Sequence, residues 1–282
     1  MESHGAVRVD WDREATAVGG VAVARKRQRQ FFRSADDQSS SRPAVSFLDI
    51  TCISSRVDVK AMTALLKGGS LEQAHSLVGL QCNVAPAWSQ KVLELTAPHL
   101  KGLQAVSPLQ RHLDRILVMP HLQALCLTNV TGQQARQVSQ MASLRRLELH
   151  CPLDAPLPEL LLPRAVPPAG LRWLRCGVEP LVTALALVQA HASTLEELQL
   201  VTASVDPAGC PDLVTELKRC SLKNLHRVVL LRHTAYGEQC RHDHPSCKDQ
   251  LQRLWLMFGE SDLFADILCS ECDKAELSKS GP

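Results

Sequence analysis

The chain has 282 residues, 45% of them hydrophobic and 21% charged, with a formal net charge of +2. That is enough apolar material for one large domain or two small ones, and the near-neutral balance gives no reason to expect a nucleic-acid binder. Aromatics make up only 4%, which favours a core of many small Leu, Val and Ala layers, and no stretch of about 18 apolar residues offers a membrane span.

Residues 1–44 carry charges and serines without periodicity, including the basic run RKRQRQFFR bounded by Arg25 and Arg33 and then SADDQSSSRP. A disordered basic and Ser-rich tail is expected there. The apolar run ATAVGGVAVA has acids before it and basic residues after it, the reverse of a signal peptide. The 11 cysteines are scattered and not framed in pairs, so an intracellular protein with reduced thiols, cytoplasmic or nuclear, is expected.

From residue 45 the sequence repeats. The pattern LxxLxL, with other apolar residues allowed at its last two positions, recurs as Leu77-Leu80-Cys82, Leu100-Leu103-Ala105, Leu122-Leu125-Leu127 and Leu144-Leu147-Leu149. It continues as Leu171-Leu174-Cys176, Leu195-Leu198-Leu200, Leu225-Val228-Leu230 and Leu251-Leu254-Leu256, at steps of 22 to 30 residues. A weaker first tooth is Val45-Leu48-Ile50. Side chains alternate faces along a strand. The last two apolar positions of each tooth therefore face inward, and parallel stacking of equivalent strands joins them into a buried ladder. Cys82 and Cys176 are read as small thiols filling that core.

Between the teeth, 58–69, 86–98, 131–143, 178–193 and 210–220 carry apolar residues at helical spacing and supply the dozen residues a parallel crossover needs. Two stretches break the pattern. The proline-rich 151–170 predicts an extended return, and the polar HTAYGEQCRHDHPSCKDQ (233–250) predicts an exposed loop.

The comb resembles the leucine-rich repeat family over roughly residues 45–260, in the type with helices on the outer side. The Asn or Cys that usually follows the third leucine is mostly absent, so the repeats are irregular. The resemblance implies an α/β fold: a solenoid over 45–262 with a parallel sheet on the concave face and helices on the convex face, followed by a C-terminal tail or cap at 263–282.

The outward strand positions are then legible. The early repeats present small or neutral residues such as Gly79, Gln81, Gly102 and Gln104, whereas later ones present Arg146, Glu148, Trp173, Arg175, Glu197, Arg227, Arg253 and Trp255. Trp and Arg are the residues enriched at binding hot spots. An outward Trp either meets a partner, is covered by a loop or packs on a neighbouring arginine stem. With four arginines against two acids, the complement expected is an acidic or phosphorylated protein segment.

Metal and enzyme chemistry find little support. Cys240, His242, His244 and Cys247 lie close in sequence and Cys269 and Cys272 form one CxxC, but the spacing is not that of a standard zinc finger. No metal, no cofactor and no catalytic site are expected, since no HExxH, GxSxG, GxGxxG or Walker loop occurs. The expected function is non-enzymatic protein recognition. Irregular intracellular repeats of this kind resemble the substrate-recognition halves of F-box adaptors in SCF-type ubiquitin ligases, although no F-box-like segment is recognised in 1–44. The competing reading is a nuclear or nucleic-acid-associated scaffold using Arg25 to Arg33.

Overall fold

A computed structural model describes residues 47–56, 58–151, 170–177, 181–201, 213–232, 244–260 and 265–279. The basic N-terminal run, the proline-rich stretch from 152 to 169, Cys240 and His242 lie outside them. Nine parallel strands form one sheet whose spatial order is the chain order. They are β1 (Phe47–Asp49), β2 (Ser76–Gln81), β3 (Gly102–Val106), β4 (Ala124–Thr128), β5 (Arg146–His150), β6 (Trp173–Gly177), β7 (Glu197–Val201), β8 (Arg227–Leu231) and β9 (Asp266–Cys269).

Helices connect them. α1 (Thr51–Arg56), α2 (Val59–Lys67) and α3 (Ser70–Gln73) lie between β1 and β2; α4 (Pro86–Thr96), α5 (Gln110–Leu117) and α6 (Gly132–Ser139) follow β2, β3 and β4. α7 (Leu181–Ala190), α8 (Leu213–Arg219), α9 (His244–Gly259) and α10 (Lys274–Lys279) follow β6, β7, β8 and β9. Their starts follow from local chemistry. Asp58 caps α2 by accepting the Ala61 amide at 3.0 Å, and Pro86 opens α4 with its fixed φ. Thr131 and Gln134 close a reciprocal capping box on α6.

The strands stack through a repeated backbone device. The carbonyl just before each of β2 to β7 accepts two successive amides from the next repeat: His75 O takes those of Lys101 and Gly102, Lys101 O those of Gln123 and Ala124, and Gln123 O those of Arg145 and Arg146. Arg145, Arg172 and Glu196 continue the series. The side chains do the same on the helix side. The third residue of α4, α5 and α6 reaches a carbonyl of the preceding repeat: Trp88 Nε1 to Met62 O at 3.1 Å, His112 Nε2 to Pro86 O at 3.0 Å and Gln134 Nε2 to Pro108 O at 2.8 Å.

Register places Leu77, Leu103, Leu125, Leu147, Leu174, Leu198 and Val228 in one row, and Leu80, Ala105, Leu127, Leu149, Cys176, Leu200, Leu230 and Cys269 in the next. Both rows are buried against apolar residues of the helices, among them Val92, Leu113, Ala135, Leu187, Leu217 and Leu254. At roughly 1.5–3 kcal/mol per buried leucine, these rows are the main apolar store of the fold.

Four expectations need correction. Leu251-Leu254-Leu256 is not a strand: it lies in α9, because Leu251, Leu254, Met257 and Phe258 also recur at helical spacing and bury one helix face. The strand of that repeat is β9, inside the segment expected as a tail or cap. The described part of 233–250, His244 onward, is the first half of α9; its buried residues there are Cys247 and Gln250, which read as polar. Finally, β2 is two positions out of the expected phase. Leu77 pairs with Leu103 and Leu80 with Ala105, with a register shift between Leu77 and Leu80. Gly79 sits at the shift with φ +79°, and a Cβ there would lie 1.9 Å from Thr51 Oγ1. Only glycine allows α1 to pack so close to the bulged strand. α5 also lacked a sequence signal, because His112 occupies its buried face alongside Leu113 and Ile116.

Leu149→Ala removes a rung with neighbours on both sides and should lower unfolding stability by about 2–5 kcal/mol. Arg136→Ala, exposed on α6, should cost under about 0.5 kcal/mol. A denaturant series giving equal losses would contradict the inward placement of Leu149.

Candidate functional site

The other face of the sheet carries the polar rows. Ala124, Arg146, Trp173, Glu197, Arg227 and Asp266 lie in register across β4 to β9, and beside them run Cys126, Glu148, Arg175, Gln199, Val229 and Leu268. Neighbouring strands stand about 4.8 Å apart, so residues 120 positions apart in sequence become one continuous surface. Arg146, Glu148, Trp173, Arg175, Glu197 and Arg227 meet here as expected.

Their chemistry is largely matched within the face. Glu148 accepts a hydrogen bond from His150 Nε2 at 2.5 Å and lies 3.5 Å from Arg175 Nε. Burial alone would raise the Glu148 carboxyl, but Arg175, the His150 hydrogen bond and Arg146 outweigh it and hold the group at about 2. Burial lowers the Arg146 guanidinium against the pull of Glu197 and Glu148. Gln199 Nε2 donates to Glu197 Oε1 at 2.6 Å, and Arg227 lies 3.6 Å from Asp266. Cys126 is buried beside Glu148, and burial with that carboxylate pushes its thiol well up. An ionised, fully engaged carboxylate and a suppressed thiol are poor material for proton transfer or nucleophilic attack near neutral pH.

Trp173 is buried, not exposed, and the Arg146 guanidinium sits 4.7 Å from its ring centroid. This contact fits the arginine-packing reading of an outward Trp; such a cation–π contact contributes about 0.5–2 kcal/mol. Together with Val78, Ala124, Cys126 and Phe47, Trp173 forms an apolar patch on this face. At its other end Val229, Leu231 and Leu268 are covered by Leu277 of α10. The polar centre is thus flanked by apolar ground on both sides.

Arg253 and Trp255 do not belong to the face. Both lie on α9, where Arg253 pairs with Asp249 at 2.6 Å and Trp255 is exposed. Asp266, which the strand phase taken from 251–256 hid, occupies the place given to Arg253. The face therefore carries Arg146, Arg175 and Arg227 against Glu148, Glu197 and Asp266, an even balance and not a basic one. Gln104 and Gly102 do hold early-repeat positions in these rows, but Gln81 pairs with Val106.

Away from this face, Cys247, Cys269 and Cys272 bring their sulfurs within 4.8 Å of one another, the one such group of potential metal ligands among the described residues. No helix among the described residues is long and apolar enough to cross a membrane.

Because the folded Glu148 carboxyl is depressed, its contribution to stability is complete above the ordinary carboxylate range, near 4.5, and is lost as pH falls through about 2. Glu148→Gln should lower stability at pH 7 and flatten the acid limb of the stability–pH curve between those values. An unchanged acid limb would show that the cluster does not hold the carboxylate.

No family model matches this chain, and no curated protein or solved structure is similar to it at the level of a significant match.

Proposed function

We propose that the chain is an irregular leucine-rich-repeat solenoid that acts without catalysis, as a protein-recognition module using the sheet face of β5 to β9. One observation carries the reading: six charged side chains and a tryptophan, spread over five strands, share a face that the α4–α9 helices leave to one side. Building such a surface takes no single loop and no cofactor. It is the natural product of stacking repeats whose inward positions are fixed and whose outward positions vary.

The even charge balance shapes the partner. A segment carrying both signs complements the face better than a purely acidic or phosphorylated one. Matched charge also disfavours nucleic acid here, since phosphate backbones are bound through an excess of cations. Substrate recognition for an SCF-type ubiquitin ligase, in the cytoplasm or nucleus, is the specific role that the resemblance to F-box adaptor repeats supports.

The test compares faces. Proteins that co-purify with the tagged full-length chain are identified, and their affinities measured for Glu197→Ala/Arg227→Ala and for Arg136→Ala/Lys218→Ala on the outer helices. The sheet-face variant should weaken binding by roughly 2 kcal/mol while circular dichroism stays unchanged, and the helix variant should bind normally. The opposite pattern would place recognition on the helices and overturn the proposal.

A further inference from the structure

At the C-terminal end of the sheet, two sequence segments that are individually poor metal motifs converge. One is the first turn of α9, where His244 and Cys247 stand three residues apart and so share a helix face. The other runs from the end of β9, at Cys269, into the turn before α10, which holds Cys272. The three sulfurs lie within 4.8 Å of one another, and His244 Nδ1 is 3.4 Å from Cys272 Sγ. We propose that Cys247, Cys269, Cys272 and His244 bind a structural zinc ion that fastens α9 to the last strand.

The three sulfurs form the core of the site, and His244, in contact with Cys272 but outside the mutual 4.8 Å cluster, turns in as the fourth ligand when the ion binds. Tetrahedral zinc with Zn–S bonds of about 2.3 Å sets its sulfurs about 3.8 Å apart, and sulfur and imidazole nitrogen slightly closer. The ligand set selects the ion: three thiolates and one imidazole in a tetrahedron suit zinc, whereas calcium and magnesium require oxygen. A closed four-ligand set leaves no open position for substrate, which marks the ion as structural.

The surroundings support the ligands. The Glu271 amide donates to Cys269 Sγ at 3.4 Å, and the Cys269 amide donates to Asp273 Oδ2 at 2.7 Å, which fixes the turn. Arg232, buried just after β8, donates from Nη2 to Cys247 Sγ at 3.5 Å and also to Gln250 Oε1. Three thiolates around a divalent ion leave one net negative charge, and this guanidinium offsets it in a buried setting. Binding forms three Zn–S bonds and one Zn–N bond and releases the thiol protons to water, with no change of oxidation state.

The site has a use. β9 is an edge of the sheet, and such an edge exposes hydrogen-bonding groups to unwanted pairing. A metal joining α9 to the turn after β9 would hold the end cap in place.

The full-length chain, purified under reducing conditions from zinc-supplemented medium, should contain about one zinc per chain by elemental analysis. Exchange of zinc for cobalt(II) should give sulfur-to-cobalt charge transfer and the intense visible bands of a tetrahedral site. Cys247→Ser, Cys269→Ser and Cys272→Ser should each reduce bound zinc at least tenfold. His244→Ala should shift the cobalt bands while retaining charge transfer, and Cys52→Ser, at an exposed thiol, should change nothing. The cobalt spectrum of the unaltered chain needs no variant to fold. Folded chain with no bound zinc and no cobalt bands, a disulfide among the three cysteines in non-reducing peptide mapping, or metal retained by the triple serine variant would each overturn the proposal. Cobalt bands unmoved by His244→Ala would remove His244 from the site.

Discussion

A parallel strand cannot satisfy its own backbone, and in this protein the requirement is met one repeat at a time. The carbonyl before each strand receives the first two amides of the next, from His75 through Glu196. Trp88, His112 and Gln134 each reach back one repeat from the third position of a helix. These bonds fix the register, and the register fixes which side chains face the helices. Nearly everything else in the molecule follows from that alignment. Leucine rows form because equivalent positions are stacked, and the polar rows on the reverse face form for the same reason.

The two faces are tuned differently. The inward rows hold buried apolar residues throughout, from the leucines down to Ala105 and Cys176. The outward rows vary, and their charges are arranged in pairs and threes, as in His150–Glu148–Arg175. Partly buried charges need such partners to offset desolvation. The same pairing that makes the face stable also leaves it without a dominant sign, and so bears directly on the kind of segment it could meet.

Much of this was legible from residues alone. The spacing of Leu125-Leu127, Leu147-Leu149 and Leu198-Leu200 located strands, and Thr131 with Gln134 located a helix start. Legibility failed where one pattern fits two structures. Leu251-Leu254-Leu256 satisfies the strand tooth, yet Met257 and Phe258 extend it as a helix, and nothing in the tooth itself decides between them. Leu77 and Leu80 were displaced in phase because the bulge at Gly79 absorbs residues the pattern counts as spacing. For Trp173 the residues left partner contact, loop cover and arginine packing open, and only the register of β5 on β6 brings Arg146 over its ring. His244, Cys247, Cys269 and Cys272 are joined only by packing of α9 on β9, which composition cannot reveal.

If each layer is held chiefly by its neighbours, a defect should spread locally and fade with distance. Peptide-level hydrogen exchange on the folded chain, with and without Leu149→Ala, measures this spread directly. Exchange should rise in β4, β5 and β6 and in α6, while β1, β2 and β9 keep their protection. A uniform rise across all nine strands would mean that the sheet opens as a single unit, and would contradict the neighbour-by-neighbour account.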